Sequence, residues 1–225
     1  MKNSTSPALG GVQKSSVIFD MDGLMLDTEG PMIPLWIKAG KSLGWEIKPE
    51  TVIRTMGVNW EGTREIALLE LGPDFPWDRF SREINRLHKA EYEKGVTHKK
   101  GLIPLLDHLS SRGIPMAVAT SSPREAALWM LRKAGIFDYF TVFVCGDEVV
   151  NGKPCPDIFL LAAERLGRAP AECIGFEDSP AGLQGLHSAG IRSVFIKDLV
   201  EPSPDILSAV WRIYGDLSEA VELFA

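Results

Sequence analysis

The chain has 225 residues, of which 45% are hydrophobic and 24% are charged, and its formal net charge is −6. This length is enough to bury a substantial core in one or two domains, and the composition is that of a folded globular protein. No basic run is longer than the pair Lys99-Lys100, which argues against a nucleic-acid partner because duplex binding requires many cationic contacts to phosphate. No apolar run approaches the length of a membrane span, so no membrane partner is expected.

The three cysteines, Cys145, Cys155 and Cys173, are odd in number and lack CxxC spacing. A disulfide framework or a zinc site is therefore not expected, and a reducing, cytoplasmic location is the natural interpretation. We expect Cys155 to be a packing residue. Residues 1–14 lack the apolar stretch of a signal peptide and are expected to form a flexible tail. A monomer is the default expectation for the oligomeric state.

Five short apolar segments without strict alternation predict strands that are buried on both faces. In chain order these predicted strands are 16–20, 115–120, 142–145, 173–176 and 192–196. Helical patterns lie between them at 102–111, 125–134, 157–166 and 181–189. Because the strands and helices alternate, the sequence predicts an α/β fold with a Rossmann-like, three-layer parallel sheet.

The stretch between the first two predicted strands has a different pattern. From about residue 32 to residue 95 it is helical throughout, with breaks at Lys48-Pro49, Gly57 and residues 72–76. We interpret residues 30–98 as an all-helical domain inserted into an α/β core made of residues 15–29 and 99–225. Four tryptophans of this insertion are expected to pack between its helices, with Trp60 alternatively facing a substrate: Trp36, Trp45, Trp60 and Trp77.

Polar residues suited to phosphate chemistry stand at the carboxyl ends of several predicted strands: Asp20, Thr120 and the pair Glu177-Asp178. The strand ends of an open α/β sheet line the ligand crevice, so these residues are expected to converge. A carboxylate can attack phosphorus, and a second carboxyl at Asp22 can protonate the leaving alkoxide and then activate water. Glu177-Asp178 can complete an oxygen-ligand site for Mg²⁺, whose charge offsets the repulsion between carboxylates and a phosphate dianion.

Two further segments offer groups for binding phosphoryl oxygens. The hydroxyl of Thr120 and the backbone N–H groups that follow it can donate hydrogen bonds, and Lys153 in Gly152-Lys153-Pro154 adds a positive charge. Ser121 and Ser122 can instead cap the helix that starts near Pro123, and this is the preferred interpretation for Ser122.

At these residues the sequence resembles the haloacid dehalogenase superfamily, in the branch that contains phosphatases and β-phosphoglucomutase. The resemblance extends from about Ser16 to the end of the chain. The motifs that carry it occur in the expected order: Asp20-Met21-Asp22-Gly23-Leu24 with Asp27-Thr28, Ala119-Thr120-Ser121, Gly152-Lys153-Pro154 with Pro156-Asp157, and Gly175-Phe176-Glu177-Asp178-Ser179 with Gly182.

The resemblance implies a role for each matching residue. Asp20 would be the nucleophile and a magnesium ligand, and Asp22 would be the general acid/base and offer its backbone carbonyl to the metal. Thr120, with Ser121 beside it, and Lys153 would bind the transferred phosphoryl group.

The metal site and the insertion also have counterparts in this branch. Asp178 would complete the magnesium site, and Glu177 would either bind the metal directly or support a ligand. The helical insertion resembles a cap domain, which closes over the sheet domain and selects the substrate.

Three functions are compatible with these residues. A magnesium-dependent phosphatase acting on a small phosphorylated metabolite, such as a sugar or polyol phosphate, is the preferred hypothesis; Asp22 argues against a dehalogenase or phosphonate hydrolase. A β-phosphoglucomutase-like phosphomutase is second. The cap of that enzyme carries a histidine and an arginine, whereas the corresponding segments here, residues 31–33 (Pro-Met-Ile) and 57–60 (Gly-Val-Asn-Trp), contain neither. A catalytically silent binder of phosphorylated ligands is third, because such a protein would need no general acid and this sequence has one at Asp22.

Overall fold

A computed structural model describes residues 15–58 and 60–225. The predicted tail over residues 1–14 lies outside the described residues, as does Asn59. The strands are β1 Ser16–Phe19, β2 Met116–Thr120, β3 Val142–Cys145, β4 Cys173–Glu177, β5 Arg192–Ile196 and β6 Arg212–Tyr214. They form one parallel sheet in the order β3-β2-β1-β4-β5-β6, which places β1 between β2 and β4 in the interior of the sheet.

The helices divide into two groups along the chain. Among the described residues, four follow β1 before residue 98: α1 Glu29–Ser42, α2 Pro49–Ile53, α3 Trp60–Leu71 and α4 Trp77–Tyr92. The others connect or follow the strands of the sheet: α5 Leu102–Ser111, α6 Arg124–Lys133, α7 Asp157–Arg165, α8 Pro180–Ser188 and α9 Pro204–Ser208.

Alternate residues of the strands face two separate hydrophobic clusters. Phe19 and Phe176 stack at a centroid distance of 5.0 Å and pack with α5, α6 and the C-terminal turn Glu219–Phe224. Ile18 and its neighbours on the opposite face pack with α7 and α8. A parallel sheet between two helical layers is the three-layer α/β fold that the sequence predicts, and the prediction is confirmed.

Helices α1 to α4 enclose a hydrophobic cluster of their own. Trp36 belongs to it, with its ring 4.8 Å from that of Phe80. Trp36 and Trp77 are buried, as predicted for packing residues. Trp60 contacts Trp77 at a centroid distance of 5.0 Å but is 41% exposed, so packing accounts for only part of its surface.

The chain enters and leaves this helical group through two adjacent segments. The N–H of Asp27 donates to the carbonyl of Thr97, and the N–H of Lys99 donates to the carbonyl of Met25, each at 2.9 Å. The hydroxyl of Tyr92 also donates to the carbonyl of Thr28 at 2.9 Å. Entry and exit therefore lie side by side.

Two elements, β6 and α9, have no counterpart among the predicted elements. Strand β6 is three residues long at the edge of the sheet, and its Ile213 is 43% exposed, so it lacks the buried apolar run by which the other strands were predicted.

Cys155 is exposed, and the prediction that it packs in the interior was wrong. Within the described residues, no helix has both the length and the apolar character that a membrane crossing demands.

His88 on α4 should make stability depend on pH. Its Nε2 has no hydrogen-bond partner among the described residues, and burial lowers its pKa to about 4. Because the unfolded histidine has a pKa of about 6.5, the unfolded chain takes up this proton first, and stability is lost as the pH falls from about 6.5 to 4. Between pH 7 and pH 5 we expect this residue to cost about 2 kcal/mol of unfolding free energy.

Urea unfolding of wild type and His88→Leu at pH 7 and pH 5 measures this contribution. Between pH 7 and pH 5 the unfolding free energy of wild type should fall relative to that of the variant by about 2 kcal/mol, because both proteins share every other titrating group. The same change in both proteins would contradict the assignment.

Candidate active site

Asp20 is the first residue after β1, at the carboxyl edge of the sheet. Its backbone N–H donates to the carbonyl of Phe176 at 3.1 Å, which continues the pairing of β1 with β4 beyond the end of the strand. Its carboxylate is buried and accepts a hydrogen bond from Lys153. Burial raises the pKa of Asp20 to about 8; Lys153 opposes this rise, whereas Glu177 and Asp22 reinforce it. Further positive charge beside Asp20 would therefore favour its ionised, nucleophilic form.

Lys153 joins Asp20 to Glu177. Its Nζ contacts Asp20 Oδ1, lies 2.6 Å from Glu177 Oε1 and stands 5.0 Å above the ring of Phe159. Burial disfavours the ammonium, but the carboxylates of Asp20 and Glu177 outweigh it and raise the pKa of Lys153. The cation is thus fixed at the base of the site and remains charged.

Both carboxylate oxygens of Glu177 are engaged within the protein. Oε1 binds Lys153, and Oε2 accepts hydrogen bonds from the N–H groups of Asp178 and Ser179 and from the Ser179 hydroxyl, each at 2.9 Å. Gly182 leaves the space for this arrangement, because a Cβ there would overlap the Glu177 carboxylate. Glu177 therefore fixes Lys153 and the turn that follows β4.

The oxygens of Asp20, Glu177 and Asp178 form a set suited to a divalent cation. They lie within 4.8 Å of one another, and Asp178 Oδ1 is buried without a hydrogen-bond partner among the described residues. Burial, reinforced by Glu177 and Glu29, raises the pKa of Asp178 well above its usual range. A buried, unpaired carboxylate oxygen is costly, and a hard cation such as Mg²⁺, which prefers oxygen ligands, fits this donor set.

The Asp22 carboxylate is held by hydroxyl groups. Its Oδ1 accepts from Thr28 at 2.9 Å, and its Oδ2 accepts from Ser122 at 2.8 Å and from Thr120 at 3.3 Å. These donors fix its orientation without pairing it to a cation, which suits a group that must both give and take a proton. Gly23, at φ +82°, lets the chain turn directly after Asp22.

The structure places Ser122 in the site and not at a helix cap. Helix α6 starts at Arg124, whose N–H is capped by the Asp147 carboxylate at 3.0 Å, whereas the Ser122 hydroxyl donates to Asp22. The predicted capping role of Ser122 was wrong. The hydroxyl of Ser121 is buried without a partner among the described residues, which leaves it available to a phosphoryl oxygen.

Two acids that lie outside the predicted site residues are found beside Asp178. The oxygens of Glu29, Asp178 and Asp198 lie within 4.8 Å of one another. Burial, together with the charges of Asp198 and Asp22, raises the pKa of Glu29 to about 9. Asp198 follows the end of β5 and would have been found by the strand-end rule, whereas Glu29 opens a helix and follows no strand.

A family model described as haloacid dehalogenase-like hydrolase matches residues 15–190. The chain belongs to this family. The expected enzyme class, a haloacid dehalogenase-like hydrolase of phosphatase type, is thereby confirmed.

Relatives of the chain within this family have named activities. The phosphorylated carbohydrates phosphatase of Thermotoga maritima is 34% identical over 180 residues, covering 80% of this chain and 83% of the relative. The fructose-1-phosphate phosphatase YqaB of Escherichia coli is 32% identical over 187 residues, covering 81% of this chain and 96% of the relative.

A solved structure supports the same fold. The β-phosphoglucomutase of Clostridium difficile superposes with a TM-score of 0.79 at 24% identity, covering 93% of this chain and 96% of that protein. Enzymes of the haloacid dehalogenase family typically use a divalent metal, Mg²⁺, and the acidic cluster around Asp178 is a candidate site for it.

Proposed function

We propose that this protein is a Mg²⁺-dependent phosphatase that hydrolyses a small phosphorylated metabolite through an aspartyl phosphate on Asp20. The observation that carries the proposal is the buried Asp20 carboxylate, bound by Lys153, at the same sheet edge as the hydroxyl-held Asp22. One acid is suited to attack and the other to proton transfer, because the two carboxylates have different environments.

In the first step the Asp20 carboxylate attacks phosphorus, and the bond from phosphorus to the alkoxide of the substrate breaks. Asp22 gives its proton to the departing oxygen. Lys153 offers positive charge and the Ser121 hydroxyl offers a hydrogen bond to the phosphoryl oxygens, and we expect the Thr120 hydroxyl to turn to them from its 3.3 Å contact with Asp22. The step yields a free alcohol and an acyl phosphate on Asp20.

In the second step Asp22, now ionised, takes a proton from a water molecule, which attacks the phosphorus of the acyl phosphate. The bond between phosphorus and the Asp20 oxygen breaks, and inorganic phosphate leaves. Asp20 returns as a carboxylate and Asp22 as an acid, so the cycle balances without a further reactant.

We infer that Mg²⁺ is held by Asp20, Asp178 and the backbone carbonyl of Asp22. When bound, the cation supplies charge that offsets repulsion between the phosphate dianion and the carboxylates. Because both oxygens of Glu177 already accept hydrogen bonds, we assign Glu177 to fixing Lys153 and Asp178 and not to direct coordination.

We further propose that residues 30–98 act as a cap over the core formed by residues 15–29 and 99–225. The separate hydrophobic cluster of this region and its adjacent entry and exit segments support this division. Gly57, between α2 and α3, lies against Ser179 of the β4 turn, which brings the cap to the edge of the site. A substrate enclosed in this way must be small.

We also expect the protein to be a monomer and to lie in a reducing cytoplasm.

The contact at Gly57 predicts that Gly57→Ala impairs catalysis. Its φ is +72°, and a Cβ there would lie 2.7 Å from the Ser179 Cβ, so alanine strains the backbone and pushes the cap from the site. Gly44→Ala is the matched control, because Gly44 has φ +81° but a Cβ added there would have nothing within 4 Å. The left-handed backbone should cost both variants about 1 kcal/mol of stability, and the overlap with Ser179 should add to the loss in Gly57→Ala. Only Gly57→Ala should lower kcat/KM, by roughly tenfold.

Steady-state kinetics and urea unfolding of the two variants measure these effects. Equal kcat/KM values in both would contradict the proposed role of the Gly57–Ser179 contact.

A phosphomutase is the second candidate, favoured by the fold shared with the Clostridium difficile β-phosphoglucomutase. The two candidates differ in where the phosphoryl group goes: to water in a phosphatase and to a second hydroxyl of a sugar phosphate in a mutase.

The test is a panel of sugar and polyol phosphates incubated with the enzyme and Mg²⁺, with free phosphate measured by colorimetry. Fructose 1-phosphate and hexitol phosphates come first, because relatives are named for them. We expect release of phosphate that EDTA abolishes. No release from any compound, or conversion of one hexose phosphate into another without free phosphate, would contradict the phosphatase proposal.

A further inference from the structure

Glu29 is a buried acid to which the described part of the chain offers no hydrogen-bond donor or cation. It is the first residue of α1 and is 3% exposed, and its side chain makes no hydrogen bond or ion pair with the described residues. The proposed mechanism gives it no task. An acid buried in this way is destabilising unless positive charge or hydrogen-bond donors reach it.

The position of Glu29 indicates where such donors would come from. A Cβ on Gly23 would lie 2.9 Å from the Glu29 Cδ and would overlap the Asp178 carboxylate, so the two acids meet above the turn that follows Asp22. Lys99 does not neutralise this pair of acids, because its ammonium binds Asp198 at 2.7 Å. A donor that reaches Glu29 would therefore come from whatever Asp178 binds.

We propose that Glu29 is a positioning residue for the metal site and accepts hydrogen bonds from water molecules that complete the coordination of the cation on Asp178. This inference rests on the proposed Mg²⁺ dependence. Magnesium usually keeps several water ligands, and those waters are donors that need acceptors. Glu29, already buried within 4.8 Å of an Asp178 oxygen, is such an acceptor and needs no rearrangement of the protein.

Isothermal titration calorimetry of the full chain with Mg²⁺ and without substrate tests the proposal. Wild type should bind one ion, and Glu29→Gln should bind one ion with an affinity roughly 10- to 100-fold lower, as for other partners of metal ligands. Glu164→Gln, which removes an exposed acid of α7, should bind like wild type. In kinetics, Glu29→Gln should raise the Mg²⁺ concentration for half-maximal rate while retaining most of kcat at saturating Mg²⁺.

Thermal unfolding in EDTA checks that the variant is folded, and Glu29→Asp provides a second variant that keeps the charge and should recover part of the affinity. Unchanged Mg²⁺ affinity in Glu29→Gln would overturn this inference while leaving the proposed function intact. Two ions in wild type and one in Glu29→Gln would also overturn it, because Glu29 would then be a direct ligand of a second cation. No Mg²⁺ binding by wild type would overturn the proposed metal dependence itself.

Discussion

Asp20→Asn should reduce phosphate release by at least about 10⁴-fold, a loss typical of removing a catalytic nucleophile. The amide keeps the shape of the side chain but is not nucleophilic towards phosphorus. The fold should survive, because Lys153 retains its contact with Glu177 at 2.6 Å and because one of several crowded carboxylates is removed. Turnover of the best compound from the phosphate panel, together with the far-UV circular dichroism spectrum, measures both effects.

Asp138→Asn, a change at an exposed acid in the short turn Phe137–Tyr139, is the control and should keep wild-type turnover. Asp22→Asn should lose roughly 10²- to 10⁴-fold, the contribution of general acid–base catalysis. Turnover by Asp20→Asn at more than a few per cent of the wild-type rate would contradict the nucleophile assignment.

Lys153→Met should have the largest effect on stability. Methionine fills a similar volume but leaves the carboxylates of Asp20 and Glu177 buried without their cation. Removing one partner of a buried ion pair costs about 3–5 kcal/mol. The variant should also lose turnover, since Lys153 offers the only ammonium that bonds to Asp20 in the described part of the chain.

Urea unfolding in the presence of EDTA isolates the effect on stability from metal binding. Lys100→Met is the matched control: Lys100 binds Asp216 at 2.6 Å, but its side chain is 79% exposed, so its removal should cost about 1 kcal/mol or less. Similar losses in the two variants would show that the Lys153 pairs behave as surface pairs and would contradict their proposed role in the site.

The core of the fold could be predicted from local sequence patterns. The five predicted strands are short apolar segments buried on both faces, and burial of this kind leaves a continuous hydrophobic run. Strand β6 could not be found in the same way, because Arg212–Tyr214 is a three-residue edge strand with Ile213 largely exposed. Its pairing with β5 is a tertiary contact that no local pattern records.

The candidate site was predictable where residues follow strands and unpredictable where contacts come from elsewhere. Asp20 and Glu177 stand at strand ends, so the topology of a parallel sheet brings them together. Ser122 has the local features of a helix cap. The carboxylate that caps the Arg124 N–H belongs instead to Asp147, which lies 23 residues further along the chain. Ser122 is thereby left to bind Asp22, an outcome that depends on packing and not on neighbouring residues.

The burial of Glu29, like the contact of Ser122, could not be predicted from neighbouring residues. A glutamate at the start of a helix is usually an exposed residue that interacts favourably with the helix dipole. Here the close approach of α1 to the Gly23 turn buries it against Asp178. The crowding of acids at this edge, and hence the need for a cation, follows from the three-dimensional arrangement of segments that are far apart in the chain.

The aspartyl phosphate on Asp20 can be detected directly by rapid acid quenching of the enzyme with acetyl [³²P]phosphate, a small general phosphoryl donor, followed by peptide mapping. We expect label that requires Mg²⁺, is cleaved by hydroxylamine as an acyl phosphate must be, and maps to the peptide that contains Asp20. Release of phosphate with no label on that peptide, or with label on another residue, would contradict the proposed covalent mechanism.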